Sequence, residues 1–234
     1  MLALQSEPNP APVRALVPPL ESGDRLHARE FLRRYERMPH VKKAELVKGI
    51  VFMASPVRVD LHADQDGLIH TWLGCYAVHT PGLKFYPNAT LRLDSDNAFQ
   101  PDAMLCRRPT PGGRTSVSEK GYLSGAPELV VEIAASSASM DARDKLDVYR
   151  GLGVSEYLLW RTVDKEFTWF HLEDEEYVAA QPDVNGLLRS RVFPGLQLPL
   201  AALLALDGAK VMACLDEGLA SPAHADFVRS LTTK

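Results

Sequence analysis

Apolar positions at Leu26, Phe31, Leu32 and Tyr35 recur between charged residues with the period of a helix, and Pro39 marks its end. The runs Ala44 to Val47 and Ile50 to Ala54 flank Lys48-Gly49 with the composition of a β-hairpin, so Glu45 falls on its first strand. Asp60 to Val78 predicts a second helix. Asp60, Asp64 and Asp66 suit the positive end of its dipole, and Leu61, Leu68, Trp72, Leu73 and Tyr76 form its apolar face. Leu83 to Leu93 and Gln100 to Cys106 read as strands, and Pro109 to Gly125 as a loop. Leu129 to Ala134 is apolar at nearly every position, the pattern of a strand covered on both faces. Ser139 or Asp141 caps the helix that follows, and Gly153 ends it after Leu152. Glu156 to Arg161, Phe167 to Leu172 and Tyr177 to Ala180 predict a meander, followed by helices near Leu200 to Leu206 and over Gly208 to Leu219.

These elements predict an α/β protein: one mixed, twisted β-sheet carrying the Glu45 hairpin, the Asp102 strand and the Glu132 strand, flanked by helices. Pro8, Pro10, Pro12, Pro18 and Pro19 predict a disordered Pro-rich tail over residues 1–22, leaving 23–234 as a single domain with C-terminal helices.

Composition narrows the class. With 234 residues, 46% hydrophobic and 24% charged, the chain reads as soluble and globular. Its longest apolar run, Leu198 to Leu206, contains a proline and falls short of the ~18 residues a membrane span needs. The start, Met1 to Glu7, lacks the basic flank and apolar core of a secretory signal, so a cytoplasmic location is expected. Cys75, Cys106 and Cys214 are too widely spaced for a disulfide framework or a zinc site. A net charge of -4 gives no overall attraction to nucleic acid, so phosphate binding would need a local patch. Lys42, Lys43, Arg107, Arg108, Arg114 and Lys120 are candidates for such a rim, and solvated surface charge explains them equally well.

The chemistry centres on Glu132, which interrupts the Leu129 to Ala134 run. A buried carboxylate is costly, so Glu132 must meet a cation or a metal, or reach water at the strand end. Asp102, after Pro101, opens another apolar strand. Two such acids on neighbouring strands are the hard oxygen donors that suit Mg²⁺ or Mn²⁺. Lys145 shares a helix face with Asp141, Val148, Tyr149 and Leu152 and could lean over the Glu132 strand, or it could be a solvated helix lysine. His62, Asp66 and His70 are spaced i, i+4, i+8, which serves a single ion with poor geometry. Ser136 and Ser137 lack a nucleophile elbow, and there is no glycine-rich phosphate loop.

In order along the chain, Glu45-Leu46 before Lys48-Gly49, His62 soon after Ser55-Pro56, Pro101-Asp102, Glu128 to Glu132, Ser136-Ser137, Asp141, Lys145, Tyr149 and Gly153 to Tyr157 resemble the Uma family of endonuclease-like proteins. That family sits in the PD-(D/E)XK restriction-endonuclease-like superfamily, and the resemblance spans about residues 24–206. It implies a restriction-endonuclease-like fold and a Mg²⁺- or Mn²⁺-dependent hydrolase acting on phosphodiester bonds of DNA. Asp102 and Glu132 would bind the ion, with Glu45 as an additional acid, Lys145 as the catalytic lysine and His62 touching substrate phosphate. Homodimer formation is a further expectation. The superfamily lysine position, two residues after the second acid, holds Ala134 here, and Lys145 matches the displaced position of the Uma pattern. Ala135 and Met140 stand where many relatives carry an acid and a tyrosine. The alternative is a catalytically inactive nuclease-fold protein that binds nucleic acid or another partner, and a third reading is a hydrolase of a nucleotide or RNA.

Overall fold

The computed structural model describes residues 17–53, 62–108, 113–134 and 140–232, the side chains of 140–143 excepted. The expectations placed on Ser55-Pro56, Ser136-Ser137, Ala135, the Ser139 cap and the side chains of Met140 and Asp141 lie outside the described residues. Helix α1 (Ala28–Tyr35) precedes a hairpin of β1 (Ala44–Val47) and β2 (Ile50–Met53). Lys48 and Gly49 both have positive φ, as a two-residue turn matching the strand twist requires. Helix α2 (Asp64–Val78) leads into β3 (Leu83–Pro87), β4 (Leu91–Arg92), β5 (Ala98–Phe99) and β6 (Ala103–Arg107). After β7 (Ser116–Val117), β8 (Leu123–Ser124) and β9 (Leu129–Ala134) comes α3 (Met140–Gly151), ended by Gly153 at positive φ. The chain continues through β10 (Glu156–Arg161), β11 (Glu166–Glu173), β12 (Glu176–Ala179), β13 (Leu187–Arg189) and β14 (Gln197–Pro199). Helices α4 (Leu200–Leu204), α5 (Gly208–Leu219) and α6 (Pro222–Thr232) follow. Among the described residues, no helix is long and apolar enough to cross a membrane.

The α/β class holds, but the expected single sheet is split into two six-stranded sheets, with β13 and β14 pairing as a separate two-stranded one. One sheet runs β2-β1-β5-β4-β8-β7 and the other β12-β11-β10-β9-β6-β3, so the Glu45 hairpin is not in the sheet that bears Asp102 and Glu132. The chain passes between sheets at Gln100-Pro101-Asp102, between β5 and β6. Pro101 has no amide hydrogen to extend a ladder, which suits a point where one sheet stops and the next begins. The expected Leu83 to Leu93 strand is broken for the same topological reason: β3 pairs with β6, whereas β4 pairs with β5 and β8. The loop expected over Pro109 to Gly125 contains β7 and β8, and α6 was not foreseen.

Strand β9 lies inside its sheet, parallel to β10 and antiparallel to β6. Period-two alternation sends Leu129, Val131 and Ile133 into a core with Ile69, Trp72, Leu73 and Tyr76 of α2 and Val211 and Leu215 of α5. Val130 faces a second core that holds Phe99, Tyr149 and Tyr157, and Glu132 shares that face. A third apolar cluster, of Phe31, Leu32, Leu46 and Ala98, seats α1 on the hairpin sheet. Leu20, inside the segment expected to be a tail, is buried in this cluster.

Candidate active site at the junction of the two sheets

Glu45 alternates with Leu46, which packs toward α1, and so points to the opposite side of β1. It is buried: Oε1 accepts the Gln100 amide at 2.7 Å, and Oε2 meets Lys145 Nζ at 2.7 Å. Lys145 Nζ also lies 3.2 Å from each oxygen of Glu132 and 5.6 Å from the centre of the Phe99 ring. The Tyr149 hydroxyl donates to Glu132 Oε1 at 2.7 Å. Lys145 and Tyr149 are one helical turn apart, which places both on the face of α3 that covers β9. The solvated-lysine alternative is therefore excluded: Lys145 is buried.

Asp102 follows the sheet switch. Its Oδ2 accepts the amide of Ile133, the residue after Glu132, at 2.7 Å. Its Oδ1 faces Lys43 Nζ at 3.1 Å and His62 Nε2 at 3.4 Å. The structure thus brings together Glu45, Asp102, Glu132, Lys145 and His62. It adds Lys43, which the sequence offered only as part of a rim, and Tyr149, which entered as a helix-face neighbour of Lys145 and through the family pattern but with no role. Both left a signal: Lys43 is two residues from Glu45, and Tyr149 four from Lys145.

The electrostatics divide the acids. Burial works against the charge on Asp102, but the contact with His62, the Lys43 ammonium and the Ile133 amide outweigh it and hold this carboxyl well below its usual range. Glu132 moves the other way, because burial, with Glu45 and Asp102 close by, exceeds the pull of Lys145. Lys43 is raised: burial opposes its charge, but Asp102, Glu45 and Glu132 together overcome that. The contact with Asp102 raises His62 as well, so a protonated His62 would bring three acids and three cations into balance.

The His62, Asp66 and His70 spacing does not make a shared ligand set. His70 Nε2 contacts the Asp102 carbonyl oxygen at 2.8 Å and Asp66 Oδ1 at 3.0 Å, whereas His62 faces the Asp102 side chain. Among the described residues, no three His, Cys, Asp or Glu side chains converge as they stand on a single ion position. The donor chemistry at the junction nevertheless suits a hard divalent cation: Asp102 and Glu132 present carboxylate oxygens engaged by lysines and histidine, groups a stronger cation can replace. Two of the rim candidates are engaged elsewhere. Lys120 pairs with Glu36, and Arg114 donates to the Gly153 carbonyl and to Ser155.

The acids gather where a central strand meets a chain crossing between sheets, with a buried lysine from the next helix, the arrangement expected of a restriction-endonuclease-like protein. The chain belongs to the Uma2 family, described as "Putative restriction endonuclease", whose model matches residues 28–201. Its fold is similar to the crystal structure of a "putative nuclease belonging to DUF820" from Anabaena variabilis. The TM-score is 0.57 at 12% identity, over 75% of this chain and 97% of that one. None of the curated proteins matches this chain.

Proposed function

We propose that this chain is a metal-dependent endonuclease that hydrolyses phosphodiester bonds of DNA. The observation that carries the reading is the convergence of Asp102, Glu132 and Glu45 on the junction between sheets, joined by buried Lys145. Asp102 and Glu132 would hold Mg²⁺ or Mn²⁺, with Glu45 as the third acid beside them. Such an ion, when bound, supplies Lewis acidity to the scissile phosphate and lowers the pKa of water. The chain's own residues set the geometry: the Ile133 amide orients Asp102, the Tyr149 hydroxyl orients Glu132, and the Gln100 amide orients Glu45. Lys145 supplies fixed positive charge between Glu45 and Glu132, and His62 stands at the outward oxygen of Asp102, where a phosphate would approach.

The test incubates purified protein with supercoiled plasmid, linear duplex, single-stranded DNA and RNA, in Mg²⁺, Mn²⁺ or EDTA. DNA cleavage that needs the divalent ion and is lost in both Asp102→Asn and Glu132→Gln is the expected result. Cleavage persisting in both variants, or wild-type protein that cleaves nothing under any condition, would overturn the reading. Retained DNA affinity in the second case would favour the catalytically inactive binding alternative.

A further inference from the structure

Two lysines serve the three acids, and they are held differently. The Lys145 side chain is 4% exposed, with its ammonium fixed between two carboxylates. The Lys43 side chain is 30% exposed, and its ammonium meets Asp102 at Oδ1, the oxygen that also faces the partly exposed His62. The other oxygen of Asp102 is tied inward to the Ile133 amide. Asp102 therefore has one oxygen set by the backbone and one oxygen whose partners are side-chain cations in reach of water.

We infer that Lys43 is the exchangeable cation of this site: its ammonium balances Asp102 Oδ1 in the free protein and, once released from that oxygen, contacts a phosphate of the substrate. The inference rests on the metal-dependent nuclease reading and assigns to Lys43 a contact which that reading leaves open. Releasing Lys145 would strand two buried carboxylates, whereas Lys43 can leave when another cation holds Asp102. Its long flexible stem and compact, strongly hydrated head suit a phosphate oxygen as well as they suit a carboxylate. Lys43 also sits two residues before Glu45, so movement of its head group leaves β1 and the Glu45 contacts in place.

Two measurements test this on the full chain. In the first, wild-type protein is treated briefly with an amine-acylating reagent, with and without saturating Mn²⁺, and lysine peptides are quantified by mass spectrometry. Acylation of Lys43 should rise at least about threefold with Mn²⁺ while Lys145 stays unmodified in both states. In the second, Mn²⁺ affinity is measured by calorimetry for wild type and Lys43→Met. The variant, with no ammonium to displace, should bind at least about threefold more tightly, yet cleave plasmid at least about tenfold more slowly at saturating Mn²⁺. Lys43 equally protected with and without bound Mn²⁺, or a folded variant with unchanged or weaker Mn²⁺ affinity, would overturn the inference. The labelling experiment decides alone should Lys43→Met not fold. Wild type that binds Mn²⁺ and cleaves DNA without a change at Lys43 would leave the nuclease reading standing and remove this one. Wild type that neither binds Mn²⁺ nor cleaves would remove both.

Discussion

Neighbouring strands of one sheet each carry a buried glutamate, and the two are satisfied in opposite ways. Glu132 on β9 is met by the Lys145 ammonium and the Tyr149 hydroxyl, within a cluster of charges. Glu156 on β10 is met by neutral donors: Oε1 accepts the amides of Arg191 and Val192 at 2.7 and 3.2 Å, and Oε2 accepts the Ser190 hydroxyl at 2.8 Å and the Trp169 indole at 3.3 Å. His171, opposite it in the ladder, stands 3.9 Å away. The neutral set pins the loop after β13 to the sheet and offers nothing an incoming ion could replace. The charged set ties Glu132 through Lys145 to Glu45 and lies beside Asp102, whose cation partners are partly exposed. What separates the candidate site from the structural glutamate is thus the kind of partner the carboxylate keeps, not its burial.

The largest effect should come from removing the cation that Glu132 and Glu45 share. Lys145→Met leaves two buried carboxylates facing each other, and breaking a buried pair in this way costs about 3–5 kcal/mol. For a chain of this size that corresponds to a fall of about 6–20 °C in Tm, measured by thermal melting in EDTA. Mg²⁺ should restore part of the loss, because a divalent ion can take over the neutralisation. A melt within about 1 kcal/mol of wild type would contradict the buried triad.

Much of this site was legible in the sequence because the acids break local patterns. Glu132 is a charge inside an otherwise apolar strand, and Asp102 follows a proline at a strand start. Their meeting follows from the antiparallel pairing of β6 with β9. The burial of Lys145 was not legible, because α3 also carries Asp144, Asp147 and Arg150, and a helix charged on several faces does not declare its inner one. The division into two sheets was hidden for a different reason. Pro101 stops one ladder, but whether the chain then rejoins the same sheet depends on partners far away in sequence. Glu156 entered only within the Gly153 to Tyr157 stretch of the family pattern and its burial left no signal, since an acid at the first position of a strand reads as ordinary until the Ser190 to Val192 loop closes over it.

The next effect concerns pH and belongs to the neutral set. Burial pushes Glu156 up to about 7 from an ordinary 4.5, against the pull of its four hydrogen bonds. A folded-state pKa raised above the unfolded value makes an acid stabilising to folding only while it stays protonated. Its contribution is constant below about 4.5, falls as pH rises from there to about 7, and is level above. Glu156→Gln, fixed in the neutral form, should therefore gain about 1–3 kcal/mol relative to wild type between pH 4.5 and pH 8, measured by urea unfolding at each pH. A stability difference that does not change with pH would mean that Glu156 ionises normally and that its donors outweigh burial.

The smallest expected change in stability is at Glu132, and its smallness is the point. Glu45, Asp102 and Glu132 face Lys43 and Lys145, so the cluster holds one more acid than lysine and depends on His62 to close the balance. Glu132→Gln removes the surplus charge. Gln keeps an oxygen for the Tyr149 hydroxyl, and Lys145 keeps Glu45 at 2.7 Å. The melting curve in EDTA should stay within about 1 kcal/mol of wild type, because a neutral isostere here strands no cation. An amide is nevertheless a poorer donor than a carboxylate to a hard cation, so any stabilisation by Mg²⁺ should shrink and cleavage should be lost. Melts of both proteins in EDTA and in Mg²⁺ make the check. A loss of more than about 3 kcal/mol in EDTA would show that Lys145 depends on Glu132 as its principal partner, making the pair as structural as the Glu156 set and erasing the contrast between the two glutamates.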